Sequence, residues 1–362
     1  MSTAAHWRCK RVHCVAMNTA ENNHPTINDV ARMAGVSTAT VSRALNQPES
    51  VSEALRKKVG AAVSRLGYVP HAGARALMLR RSGTVGAVFP TVDNAIFATA
   101  IDALQRRLAQ SDMQLLIATS GYDAVGEMRQ AINLVTRGAD ALVLCGLCQH
   151  PDLLRFMQQR SLPCVHVMVH EPDGQHISVG FDNAAAMGQA TQYLVDLDHR
   201  HIAMLAGVTQ HNDRALQRVA GVRQALSLAG LELPPQRLVE RPYTLAGARD
   251  GLRQLMAHSP APTAVICGND VLAFGALLEA ASMGLRVPQD LSIVGFDDLE
   301  MARHLQPALS TVQVPTEAMW STAADRLVAA IRGEPLQRST KIDVALVVRQ
   351  STGPARPGAP GR

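Results

Sequence analysis

Two periodicities divide this chain. Between Thr26 and Gly67 apolar residues recur at three- and four-residue spacing, as they do in short amphipathic helices. Ile27, Val30, Ala31 and Ala34 form one stripe, Val41, Ala44 and Leu45 a second, and Leu55, Val59, Ala62 and Leu66 a third. Thr26, Ser37 and Ser52 precede them as N-caps, and Asp29 adds a carboxylate to the first helix's opening turn. Gly35 suits the left-handed residue that ends a helix, with Val36 as the hydrophobic plug behind it. Helices this short are unstable alone. The pattern therefore predicts three of them around one very small core, the first two forming a helix-turn-helix.

From Thr84 the period changes. Short apolar runs (TVGAVFP, QLLIATS, ALVLCG and CVHVMV) alternate with amphipathic stretches such as IDALQRRLAQ and MRQAINLVTRG. A second series follows: HIAMLAG, a helix from about Leu216 to Ala229, RLVERPY, TAVICGND and LSIVGFDD. Such alternation predicts an α/β fold with doubly wound parallel sheets, and two series predict two similar lobes. Residues 1–24 carry no period and read as a flexible N-terminal extension, with Met17 as an alternative start. The Pro/Gly-rich stretch 353–362 reads as a flexible tail.

The outward face of the second helix gives the head its chemistry. Thr38, Ala39, Thr40, Ser42, Arg43 and Asn46 are small or hydrogen-bonding, with one guanidinium and no carboxylate. That face suits base edges and phosphates in a DNA groove, with Arg43 for a base and Thr38 and Ala39 for small or apolar contacts. Thr26 and Ser37, at the helix starts, complete the candidate DNA contacts of the head. The bland alternative is a helical hairpin with a solvated polar face.

Charge favours the first reading. Residues 1–81 hold 12 Lys/Arg against 4 Asp/Glu, a net +8, while the remainder holds 23 against 26, a net −3. A basic head on a slightly acidic body points to a nucleic-acid partner for the head alone. With 47% hydrophobic residues but only 3% aromatic, 362 residues can bury a large, aliphatic core. No run of about 18 apolar residues suggests a membrane span, and no secretion signal is evident, so the expected compartment is the cytoplasm. Cys145, Cys164 and Cys267 lie in apolar strand-like runs and read as buried thiols. Cys145 and Cys148 are formally CxxC, but no second pair supports a metal. His6, Cys9, His13 and Cys14 likewise lack a partner knuckle, so neither metal nor cofactor is expected.

The stretches TINDVARMAGVSTATVSRALN, VSEALRKKVGAAVSRLGYVPHAGARAL and NDVLAFGALLEAASMGLRVPQDLSIVGFDD together resemble the LacI/GalR family of bacterial transcription regulators, in order and spacing, from about Pro25 to about Thr352. The resemblance implies a DNA-binding headpiece at 25–70, a hinge linker at 71–82, and a two-lobed periplasmic-binding-protein-like effector domain at 83–352. Three crossings between the lobes are expected near 182, 312 and 339, the last within Leu336–Lys341. In the linker, Leu77 matches the leucine that the family inserts into the minor groove, with Arg75, Arg80 and Arg81 at hand for phosphates. A flexible basic tether is the alternative, and Gly73 favours it, since a mid-helix glycine costs about 0.5–1 kcal/mol. No leucine heptad closes the chain, so a homodimer on pseudo-palindromic double-stranded operator DNA is implied, rather than a tetramer.

Open α/β sheets bind ligands beyond the carboxyl ends of their strands. Asp93 and Asn94, Asn269 and Asp270, and Asp297 and Asp298 all fall at such ends, with Phe97 just beyond the first. Each alone is a good helix cap; together they suggest one effector cleft. By resemblance, Arg218, Asn269 and Asp297 contact the effector and Phe97 stacks on it, with Asn94 beside it. Carboxylate, amide and guanidinium suit the hydroxyls of a sugar or sugar acid. Where many members carry Asp or Glu, this chain has Met168, with His166 and His170 nearby, and DGQHISVGFDN looks like the gluconate-repressor branch. The function implied is a repressor whose operator affinity a sugar or sugar-acid effector controls. A periplasmic-type sugar-binding protein would share the lobes but not the head. A carbohydrate-active enzyme would need an acid/base pair or nucleophile elbow that the sequence lacks.

Overall fold

A computed structural model describes residues 25–69, 81–174 and 176–356. The chain divides into two compact units, Met1–Leu79 and Arg80–Arg362, each described here by itself.

In the first unit, α1 (Ile27–Ala34), α2 (Thr38–Asn46) and α3 (Glu53–Leu66) enclose Val30, Ala31, Ala34, Val41, Ala44, Val59 and Ala62. Asp29 reaches back to the opening of α1, accepting from the Thr26 amide at 3.0 Å and the Thr26 hydroxyl at 2.7 Å. Gly35 ends α1 at φ +60°, and Val36 sends its amide back to Ala31 at 3.0 Å. Ser37 caps α2 through the Thr40 amide, and Ser52 caps α3 through that of Leu55.

The second unit is two α/β lobes. Its elements run β1 (Thr84–Phe89), α4 (Ala95–Ala109), β2 (Gln114–Thr119), α5 (Ala124–Thr136), β3 (Ala141–Cys145), α6 (Pro151–Gln159), β4 (Cys164–Val167), β5 (Ile177–Gly180) and α7 (Asn183–Asp196). Then follow β6 (Ile202–Gly207), α8 (Asp213–Leu228), β7 (Leu238–Arg241), α9 (Leu245–Met256), β8 (Ala264–Cys267), α10 (Asp270–Ser282), β9 (Ser292–Asp297), β10 (Ser310–Gln313), α11 (Thr316–Arg332), β11 (Ser339–Lys341) and β12 (Ala345–Val347). One sheet has the order β11-β5-β4-β3-β1-β2 and the other β12-β10-β9-β8-β6-β7. All pairings are parallel except that of β10 with β12. The strand order reverses beside β1 and β3 in one sheet and beside β6 and β8 in the other, and crevices open at those switch points.

The chain passes between lobes at Phe181–Asp182, where β5 of the first sheet gives way to α7, and at Val314–Pro315, where β10 of the second gives way to α11. The third crossing lies at 342–344, not within 336–341. Ser339–Lys341 is itself a strand of the first sheet, paired with β5, and is too short and polar to show a strand pattern. The helix expected from about Leu216 begins earlier, at Asp213, because Asn212 caps it. The expected flexible tail also needs correcting. The Ala355 amide bonds Leu197 at 2.8 Å, and the Gly353 carbonyl accepts from His199 and Ser292, so 353–356 belong to the second lobe. Ser82, placed in the linker, is tied to the body through Asp140 at 3.0 Å. Residues 357–362, 1–24 and most of the linker lie outside the described residues.

Five of the aromatic residues gather near the crossings. Trp320 is fully buried 5.1 Å from Phe89, Phe89 meets Phe97 at 5.8 Å, and Phe181 meets Phe296 at the same distance. Beyond them the core is largely aliphatic, with Phe274 as a further buried ring. No helix among the described residues is long and apolar enough to cross a membrane.

Candidate functional site

All five residues expected in the effector cleft meet in one cavity. Asn94, Phe97, Arg218, Asn269 and Asp297 line it, together with Ile96, Tyr122, Met168, Asn212, Arg214 and Tyr243. Every lining loop follows a strand's carboxyl end, from β1, β2 and β4 on one side and β6, β7, β8 and β9 on the other. Cap chemistry and site chemistry coincide here. Asn94, Asn212 and Asn269 cap α4, α8 and α10 through their Oδ1 atoms, which accept from Ile96, Ala215 and Leu272. Capping uses the oxygen of each amide and leaves the NH₂ group, which Asn212 directs to the Val208 carbonyl and the Tyr243 hydroxyl.

Arg218 is 4% exposed. Its Nε donates to Asn183 Oδ1 at 2.9 Å and its Nη1 to the Gly268 carbonyl at 2.7 Å, while the guanidinium lies 3.7 Å above the Phe296 ring. Asp297 beside it is 5% exposed and sits at φ +116°, a conformation strained for any residue but glycine. Its Oδ1 is buried without a hydrogen-bond partner. Burial pushes this carboxyl up to about 7, against the pull of Arg218. Asp270, behind it, accepts from Thr311 at 2.6 Å and from the Leu299 amide at 2.7 Å; it supports the Asp297 loop and does not line the cavity.

The sequence did not point to Tyr122, Asn212, Arg214 or Tyr243. Tyr122 and Tyr243 stack across the cleft with centroids 5.7 Å apart, and their rarity in so aromatic-poor a chain was the one available signal. Met168 lines the cavity with an apolar side chain, whereas His166 turns its Nδ1 to the Gly146 carbonyl at 2.9 Å. The cavity measures about 30 Å³. Small-molecule sites span roughly 300–1,000 Å³, so this is a closed cleft that must part to admit a ligand.

No group of three or more His, Cys, Asp or Glu among the described residues could hold a metal. The Cys145 thiol is buried and pushed up to about 12, and Cys148 is exposed.

In the head, Thr26, Ser37, Thr38, Ala39, Arg43 and Asn46 are exposed, while Thr40 and Ser42 are half-buried. Ser37 and Thr40 share a hydroxyl contact of 2.8 Å, and Asn46 Nδ2 donates to Ser42 at 3.3 Å. Arg75 and Leu77 lie outside the described residues.

A helix-turn-helix head and a two-lobed α/β body with a closed polar cleft define a ligand-responsive DNA-binding regulator. The profile of bacterial regulatory proteins of the lacI family matches residues 26–71, and that of a periplasmic binding protein-like domain matches 191–352. The chain is 33% identical over 314 residues to the HTH-type transcriptional regulator GntR of Escherichia coli K12, covering 87% of this chain and 94% of that one. Among solved structures, the lac repressor dimer bound to operator and the anti-inducer ONPF superposes with a TM-score of 0.81 at 27% identity, covering 91% of this chain and 99% of that one. A CelR–cellobiose complex gives 0.67 at 30% identity, covering 90% and 99%. The chain belongs to the LacI family. It is a DNA-binding transcriptional regulator, and the proteins it resembles are regulators rather than enzymes.

Proposed function

We propose that the protein is a cytoplasmic repressor that binds a pseudo-palindromic operator as a homodimer and is controlled by a sugar or sugar acid held between its lobes. The observation that carries the effector reading is Asp297. A strained, buried carboxyl with a partnerless oxygen, set among Asn94, Asn269 and Arg218, is an acceptor waiting for hydroxyl donors. Phe97 supplies an apolar platform in the same cavity. The similar CelR structure holds cellobiose, and the lac repressor structure is a dimer on operator DNA. One recognition helix reads too few base pairs alone, which favours two heads on two half-sites. Leu116 and Ile117 on the edge strand β2, and Leu278 and Met283 on the second lobe, are exposed apolar side chains that a second copy would cover.

In this reading Arg43 reads a base, Thr26, Ser37, Thr38, Ala39, Thr40, Ser42 and Asn46 make the surrounding contacts, and 71–81 is the hinge, with Leu77 as a minor-groove wedge and Arg75 on a phosphate. The effector acts by differing in affinity for the two lobe arrangements. Gel retardation on the DNA upstream of its gene, with and without hexoses, pentoses and aldonic acids, tests the proposal. Asp297→Ala and Arg218→Ala are each expected to lose the effector response and keep effector-free operator binding. Response to a purine or an amino acid, with none to any sugar, would sink it.

A further inference from the structure

A second cavity, of about 20 Å³, adjoins the first through Tyr122 and Arg214, and Glu127, Ser120 and Cys145 are among its walls. Arg214 stands between the two compartments and is 7% exposed. Gly146, just past β3, makes room for it: a Cβ there would collide with the Arg214 guanidinium and the Asp213 carboxylate. Asp213 Oδ1 accepts from Arg214 Nη1 at 3.1 Å, and its Oδ2 accepts from the Leu147 amide at 2.7 Å. The bond to Asp213 is the one hydrogen bond Arg214 makes among the described residues, which leaves most of its five donors for a ligand.

Arg218 offers less. Two of its nitrogens are committed to Asn183 and Gly268, its face is committed to Phe296, and an anion set beside it would meet the Asp297 carboxyl. The buried charges in the cleft are also unequal. Arg214 and Arg218 are both buried, and the buried carboxyls facing them, Asp297 and Glu127, are pushed up to about 7 by burial. Asp213 is half-buried and pairs Arg214, and Asp123, exposed on the second compartment, is taken up in capping α5. Neither Asp297 nor Glu127 is fully ionised near neutrality, so the buried cations are short of buried negative partners. Buried cations call for a partner of opposite sign.

We propose that the effector carries an anionic group, a carboxylate or a phosphate, and that Arg214 receives it in the compartment behind Tyr122 while the ligand's hydroxyls meet Asp297, Asn269 and Arg218. This rests on the cleft being the effector site, and it adds the ligand's charge and the residue that reads it. Asp213 and Gly146 position the guanidinium, the first by pairing and the second by yielding space.

Calorimetric titration of the full-length protein with glucose, galactose and ribose, each alongside its aldonate and its terminal phosphate, separates the possibilities. The expected result is one anion binding about ten- to a hundredfold more tightly than its neutral parent. Which anion wins distinguishes carboxylate from phosphate. Arg214→Gln should erase that preference, and Arg214→Lys should keep part of it. Equal binding of neutral and anionic members by the parent protein overturns the inference and leaves the sugar reading standing. A preference that survives Arg214→Gln overturns the assignment to Arg214. Binding of none of the nine, with a purine or amino acid bound instead, overturns the sugar reading as well.

Discussion

Asp297 combines a left-handed backbone, full burial and a partnerless oxygen, and its titration should show in stability. Its pKa is raised from 3.8 to about 7 on folding. Below the lower value the group is protonated in both states and contributes nothing. Between the two values the unfolded chain gives up its proton while the folded chain holds on, so stability falls as pH rises through that window. Asp297→Asn removes the penalty. Its urea midpoint relative to the parent should rise between about pH 5 and about pH 8, by the equivalent of about 2–4 kcal/mol. A constant difference across that range would show that the carboxyl already has a partner. In the head, Arg43→Ala should cost about 1–3 kcal/mol of operator binding and relax preference at one base pair per half-site. A uniform loss on every sequence, measured by competition binding, would instead make Arg43 a phosphate contact.

Among the elements, α7 and α8 show how closely helices can approach when glycine permits it. A Cβ on Gly221 would strike the Ala184 carbonyl, whereas one on Gly188 would meet the Gly221 carbonyl at an ordinary 3.6 Å. Gly221→Ala should therefore destabilise by about 1–3 kcal/mol. Gly188→Ala, inside α7, should be neutral or gain up to about 1 kcal/mol from helix propensity. Denaturant midpoints of the two variants should move apart, and a shared shift would mean that the helices adjust freely. The same elements explain what the sequence showed. Asn94 and Asn269 could be read as both caps and cleft residues because a strand's end and a helix's start are local events. Asn212 went unread as a cap because the polar residues after it delay the apolar stripe to Ala215.

For the whole molecule, polar and aromatic contacts join the lobes across the cleft, beside a shared apolar core. Asp213, from α8, takes the Leu147 amide of the opposite lobe, and Tyr122 stacks on Tyr243. Asp213→Ala removes one such bond and loosens the seat of Arg214. Small-angle scattering of the effector-free variant should report a larger radius of gyration than the parent's. An unchanged radius would show that closure depends on other contacts.

The sequence alone determined the three-helix head, the alternating strands of both lobes and the strand-end Asp297, Asn269 and Asn94, because periodicity, caps and strand termini are set by neighbours along the chain. Arg218 and Phe97 were legible only through resemblance. The tertiary structure decided the rest. That Arg214 is buried rather than solvated depends on Gly146 and Glu127, which lie far from it in sequence. That Ser339–Lys341 is a strand depends on an open edge beside β5. That 353–356 are held depends on His199 and Ser292. In each case the deciding partner lies tens to hundreds of residues away, and only lobe closure and sheet assembly bring it within reach.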